Sequence, residues 1–107
     1  LIEALVKFDA AEDSEFALVT PGSPDKALTP KDMARQIADR LIRLFTRDAN
    51  GRRPIYGGTE IFQQDPHWRD HVLFHEYFHG DNGAGLGASH QTGWTGLVAN
   101  LIDEWRR

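Results

Sequence analysis

The stretch from His67 to Trp94 concentrates the side chains that can hold a proton, a metal or a sugar. It contains all five His and two of the three Trp. It also holds Glu76, a carboxylate set among Leu73, Phe74, Tyr77 and Phe78. A charge in such surroundings is costly to bury unless something pairs with it or uses it. Apolar neighbours raise a carboxyl pKa while cations and hydrogen bonds lower it, which is how general acids and bases are tuned. The plain alternative is a structural pair between Glu76 and Arg69 or a His.

His75-Glu76-Tyr77-Phe78-His79 is a literal H-E-x-x-H. On a helix the two imidazoles share one face, ligate zinc and leave Glu76 to activate the metal-bound water. Glu104 on the last helix offers a third ligand, and His67 and His71 extend the four-residue spacing. Against this, Gly80 follows the second His and Gly83, Gly85 and Gly87 come soon after. A zinc helix would end at its own ligand. The plain reading of the ladder is His packed among rings, and the expectation adopted is no metal and no cofactor.

The elements that must position these residues follow from periodicity. Leu1, Leu5 and Phe8 predict a helix from Leu1 to about Ala11. Glu12 to Pro30 is loop-like, with turn formers Pro21-Gly22-Ser23-Pro24-Asp25 and a short extended piece at Phe16–Val19. Thr29-Pro30-Lys31-Asp32 starts a helix: Thr caps, Pro takes the first position, and Asp follows three after the cap. Met33, Ile37, Leu41, Leu44 and Phe45 give it an apolar stripe to about Thr46. Arg47 to Gly58 is a turn-rich connection, and Asp65-Pro66 suggests another helix start. Val72–Phe78 suits a buried strand or a helix, and Asp81–Gly87 an irregular loop. Trp94, Leu97, Val98, Leu101, Ile102 and Trp105 carry the spacing of a final amphipathic helix.

Composition narrows the function classes. The 107 residues suggest one globular unit. No apolar run approaches the roughly 20 residues of a bilayer span. The absence of Cys removes disulfides and Cys-based zinc sites. A net charge of −4 without a basic block argues against nucleic acid as a partner, and no membrane partner is expected. The lack of Cys suits reducing and oxidising compartments alike; a cytoplasmic setting is the expectation adopted. Met33 is the sole Met and the opening stretch is already at helical period, so the chain is expected to be a piece of a longer protein.

Three stretches in order carry a resemblance: Tyr56-Gly57-Gly58-Thr59-Glu60, Asp65-Pro66-His67-Trp68-Arg69-Asp70, and the run from Glu76 through the glycines to Gln91-Thr92-Gly93-Trp94. Together they resemble the C-terminal part of bacterial glucosidase-like members of glycoside hydrolase family 63, close to the mannosylglycerate and glucosylglycerate hydrolases. The similarity is strongest over residues 52–99. It implies a mainly α fold, the C-terminal segment of an (α/α)6 toroid, with a short extended segment and Gly-rich loop around Glu76. It implies inverting hydrolysis of an α-glucoside or α-mannoside, with an oligosaccharide or small glycoside as substrate. The family's base maps onto Glu76 and its substrate-binding Gln onto Gln91, with His79, Trp94 and Trp68 as pocket lining. His75 departs from the aromatic residue usual there, and that departure creates the zinc-like pattern.

The physics of an inverting glycosidase is consistent with that assignment. A carboxylate base holds water on one sugar face and a carboxylic acid protonates the leaving group on the other, roughly 6.5–9.5 Å away. Trp68, Tyr77 and Trp94 offer flat apolar surface to a sugar ring, and Gln91 can bond hydroxyls. Asp65, Asp70 and Asp81 lie too close to the base's own motif to match the acid, which the family carries well upstream. The expectation is half a catalytic pair, inactive until the rest of the enzyme is supplied. A non-catalytic sugar-binding or scaffold segment is the third alternative.

Overall fold

The computed structural model describes residues 1–11, 18–20, 23–89 and 93–105. Length alone suggests one unit; residue contacts gather into two, Leu1–Arg40 and Leu41–Arg107. In the first, α1 (Ile2–Ala11) precedes β1 (Leu18–Thr20) and β2 (Ser23–Leu28). The two strands pair antiparallel, Leu18 opposite Leu28 and Val19 opposite Ala27. Part of the expected loop is therefore a strand; Phe16, Ala17, Pro21 and Gly22 lie outside the described residues.

Helix α2 (Pro30–Phe45) begins in the first unit and ends in the second. Its start is a reciprocal cap: Asp32 N donates to Thr29 Oγ1 at 3.1 Å, and Thr29 N donates to Asp32 Oδ2 at 3.4 Å. Its most buried line runs through Ala34, Ala38, Ile42 and Phe45, one position round from Met33, Ile37, Leu41 and Leu44, which are only half-buried.

In the second unit a 3-10 turn at Pro54–Tyr56 leads to α3 (Glu60–Gln64), then β3 (His75–Phe78), β4 (Gly85–Ser89), a second 3-10 turn at Trp94–Leu97 and α4 (Val98–Trp105). Ile42, Phe45, Ile55, Tyr56 and Val98 form the core, with Phe62, Phe74, Phe78, Leu101 and Trp105 among the rings and chains packed on it. Buried Gln63 fastens the first 3-10 turn. Its Nε2 donates to Arg53 O at 3.0 Å and Gly57 O at 3.1 Å, and its Oε1 accepts from Arg53 N at 2.9 Å.

The toroid expectation is overturned. Among the described residues the chain forms four α-helices and two separate two-stranded antiparallel sheets, not a segment of an (α/α)6 barrel. Such a barrel needs successive long helices, and here α3 has 5 residues and α4 has 8. The cause is local. Aromatic residues at 74, 77 and 78 favour strand, and Gly85 and Gly87 are poor helix formers. The helix expected from Asp65-Pro66 lies before it instead: Asp65 is extended at ψ 127°, as a residue preceding Pro tends to be. The expected Asp81–Gly87 loop is shorter than read, since Gly85–Ser89 is a strand.

Candidate functional site

Glu76 sits in the middle of β3, in the hairpin with β4. His75 is opposite Ser89, Tyr77 opposite Leu86 and Phe78 opposite Gly85. Between the first two pairs, one residue of β3 (Glu76) faces two of β4 (Gly87 and Ala88): a β-bulge. Gly87 takes φ +74°, the left-handed region glycine enters without a Cβ penalty. Ala88 N donates to Glu76 Oε2 at 3.0 Å. The Glu76 side chain is otherwise exposed.

The hairpin loop is built from its own polar groups. His79 N donates to Ala84 O at 2.8 Å, Gly83 N to His79 O at 2.9 Å, and Ala84 N to Asn82 Oδ1 at 2.9 Å. Gly83, at φ +76°, approaches Leu44 so closely that a Cβ would lie 2.6 Å from its Cδ2. Phe78 fixes the hairpin to the core through an edge contact with Phe45, ring centroids 5.7 Å apart.

Trp94 joins Glu76 through the backbone: its Nε1 donates to Glu76 O at 3.1 Å, and its ring meets Phe78 edge-on at 5.9 Å. Even so, Trp94 is 54% exposed and Tyr77 55%. Trp94 therefore does not begin the buried stripe of the last helix. That stripe runs through Val98, Leu101 and Trp105, and the stretch splits between Leu97 and Val98 into a 3-10 turn and α4.

The other expected site residues divide. His79 lies in the hairpin loop, where its Nδ1 accepts from Asp81 N at 3.2 Å. Trp68, 44% exposed, packs on Phe62 at 5.5 Å rather than on the hairpin rings. Gln91 lies outside the described residues. The helical zinc arrangement is not formed: residues 75–78 are extended and paired with β4, and His79 lies beyond the strand in the hairpin loop. The His75 ring instead covers Gly85, and Glu104 accepts from Asn100 Nδ2 at 2.9 Å. Arg69 lies beside Asp70, 3.6 Å away, not beside Glu76.

Away from the hairpin, charges order the surface. Arg47 donates to Asp70 at 2.6 Å and holds its carboxyl below the usual range, helped by Arg69 and Arg53. Arg52 grips Glu60 with both nitrogens, at 3.1 and 2.7 Å, and lowers that carboxyl in the same way. Burial pushes the Tyr56 phenol up, and its hydroxyl reaches the carbonyls of Arg69 and His71.

Sequence reasoning missed the bulge pair Gly87 and Ala88. The signal was present: a glycine within a strand marks a bulge or a close backbone approach. Reading Asp81–Gly87 as one irregular loop hides it, because Gly83, Gly85 and Gly87 then share a single explanation.

The chain is 42% identical over 106 residues to uncharacterized protein YMR196W of Saccharomyces cerevisiae, an alignment covering 97% of this chain and 10% of that protein. It thus spans about a tenth of the length of the curated relative it matches. No protein-family model and no solved structure matches it.

Proposed function

We propose that Glu76 is the general base of an inverting glycoside hydrolase acting on an α-glucoside or α-mannoside, within a longer cytoplasmic polypeptide that supplies the acid. One observation carries the reading. An exposed carboxylate, tethered by the Ala88 N–H, stands on a hairpin that also presents the largely solvent-facing rings of Tyr77 and Trp94. A base must reach water, be held in one orientation and stand beside a surface that holds the sugar. The two rings offer flat apolar faces of the kind sugar-binding sites use. Glu76 takes a proton from water as that water's oxygen attacks the anomeric carbon, and the acid elsewhere protonates the departing oxygen. Gln91 as a hydroxyl ligand and Trp68 and His79 as pocket lining rest on the family resemblance.

The test is hydrolysis by the longer polypeptide carrying this segment, with the released anomer followed by proton NMR. The expected result is the β-anomer from an α-glycoside, and a rate loss of roughly 10²–10⁴-fold in Glu76→Gln. Release of the α-anomer, or an unaffected Glu76→Gln enzyme, overturns the reading. The Ala88–Glu76 bond favours a second reading, in which Glu76 only closes the bulge of a sugar-binding or scaffold segment. That reading predicts a lowered melting temperature in Glu76→Gln with hydrolysis unchanged.

A further inference from the structure

Gly87 and Glu76 occupy space that would conflict if residue 87 carried a side chain. A Cβ at Gly87 would lie 2.5 Å from Glu76 Oε2, 3.2 Å from Glu76 Cβ and 2.7 Å from Tyr77 Cε1. The first and last of these are closer than carbon packing allows, so one of the groups would have to move. The next residue supplies the only hydrogen bond to the Glu76 carboxylate among the described residues, from Ala88 N to Oε2. Oε1 has no partner there. A positive φ, a missing Cβ and a directed N–H thus meet on one side of one carboxylate.

We propose that the Gly87–Ala88 bulge is the device that orients the Glu76 carboxylate, tying Oε2 to backbone and leaving Oε1 as the atom that meets water. Gly87 and Ala88 are positioning residues. The inference rests on the reading of Glu76 as a base, and it deepens that reading by assigning the working oxygen. A carboxylate free to rotate about its last bond presents two equivalent oxygens and spends part of its time misdirected. An N–H bond to one oxygen hinders exchange of the two oxygens, and such charge-assisted bonds are among the stronger ones. Water placed by the free oxygen then approaches from a fixed direction, as attack on one face of a sugar requires. The ring of Tyr77 borders the same space, so the cleared volume serves the carboxylate and the ring together.

Two readouts test this, the first on the 107-residue chain and the second on the longer polypeptide that carries it. The first is the Ala88 amide proton shift by NMR. It should move upfield in Glu76→Gln, whose amide oxygen is a weaker acceptor, and further in Gly87→Ala. The second is affinity for deoxynojirimycin, whose protonated nitrogen seeks the oriented carboxylate, against methyl α-D-glucopyranoside, which is neutral. Gly87→Ala should weaken the iminosugar by about tenfold, the loss of one charge-assisted bond, and the neutral glycoside by under about twofold. Gly83→Ala is the control: it disturbs the same hairpin at Leu44 and should leave the ratio of the two affinities unchanged. An Ala88 proton indifferent to Glu76→Gln overturns the proposal even where Gly87→Ala does not fold. So does equal weakening of both probes by Gly87→Ala. If neither probe binds the longer polypeptide while the Ala88 shift still follows both variants, the glycosidase reading fails and the orienting role of the bulge stands.

Discussion

Glu76 draws its chemical interest from neighbours that sequence order does not make obvious. Its immediate neighbours are aromatic, yet its tether comes from Ala88, twelve residues on, and its backbone carbonyl is taken by the Trp94 indole. Two single-residue changes test the frame around it. Gly83→Ala combines a left-handed φ with a Cβ 2.6 Å from Leu44 Cδ2 and 3.2 Å from Pro54 Cβ. The expected destabilisation is about 1–3 kcal/mol, read from the urea midpoint. Gln63→Ala removes three hydrogen bonds: Arg53 N loses its acceptor, while Arg53 O keeps Tyr56 N and Gly57 O keeps Arg52 Nη2 at 3.5 Å. Its expected cost is about 2–3 kcal/mol, and Gln63→Glu should recover little, because a carboxylate cannot donate to the two carbonyls.

At the scale of elements, α2 was the most legible in the sequence. Thr29, Pro30 and Asp32 announce its start, and the reciprocal cap they predict is present. Thr29→Ala should cost about 1 kcal/mol, measured by thermal unfolding with helix content as the signal. The side it buries was harder to read. A hydrophobicity pattern weights large side chains, so Ala34 and Ala38 did not mark the deepest line. Ile42, wholly buried in the core, is the position where that line is most costly to break: Ile42→Ala should lose about 2–5 kcal/mol. The hairpin was less legible still. Its glycines read as a loop because composition registers the missing side chains, whereas the left-handed turn and bulge at Gly83 and Gly87 depend on the partner strand.

Across the whole molecule, acid should be the destabilising direction. The Asp70 and Glu60 carboxyls are held below their usual range by arginine partners. A group whose folded pKa is depressed adds stability above its unfolded value and loses it as pH falls through the folded one. The window therefore opens near pH ~4, the ordinary carboxylate range, and extends downward. Melting temperature should drop between pH 5 and pH 3 by more in the parent chain than in Asp70→Asn, as measured by calorimetry. Both pairs are solvent-exposed, so about 1 M salt should shrink that difference. An equal drop in both chains would remove Asp70 as a contributor.

The sequence by itself determined what depends on neighbours along the chain. It located the cap and extent of α2 and the amphipathic spacing that ends in α4, and among the described residues no helix is long and apolar enough to cross a membrane. Tertiary structure decided what depends on residues far apart. It turned the glycine-rich run into a strand, placed Ala88 against the carboxylate, left Trp94 half in water and paired Trp68 with Phe62. It also replaced the expected toroid segment by short helices and two hairpins. The reason is physical. Helical period and capping are set within a few residues, whereas strand register, a bulge and the burial of one ring over another are set by a partner whose sequence distance carries no period.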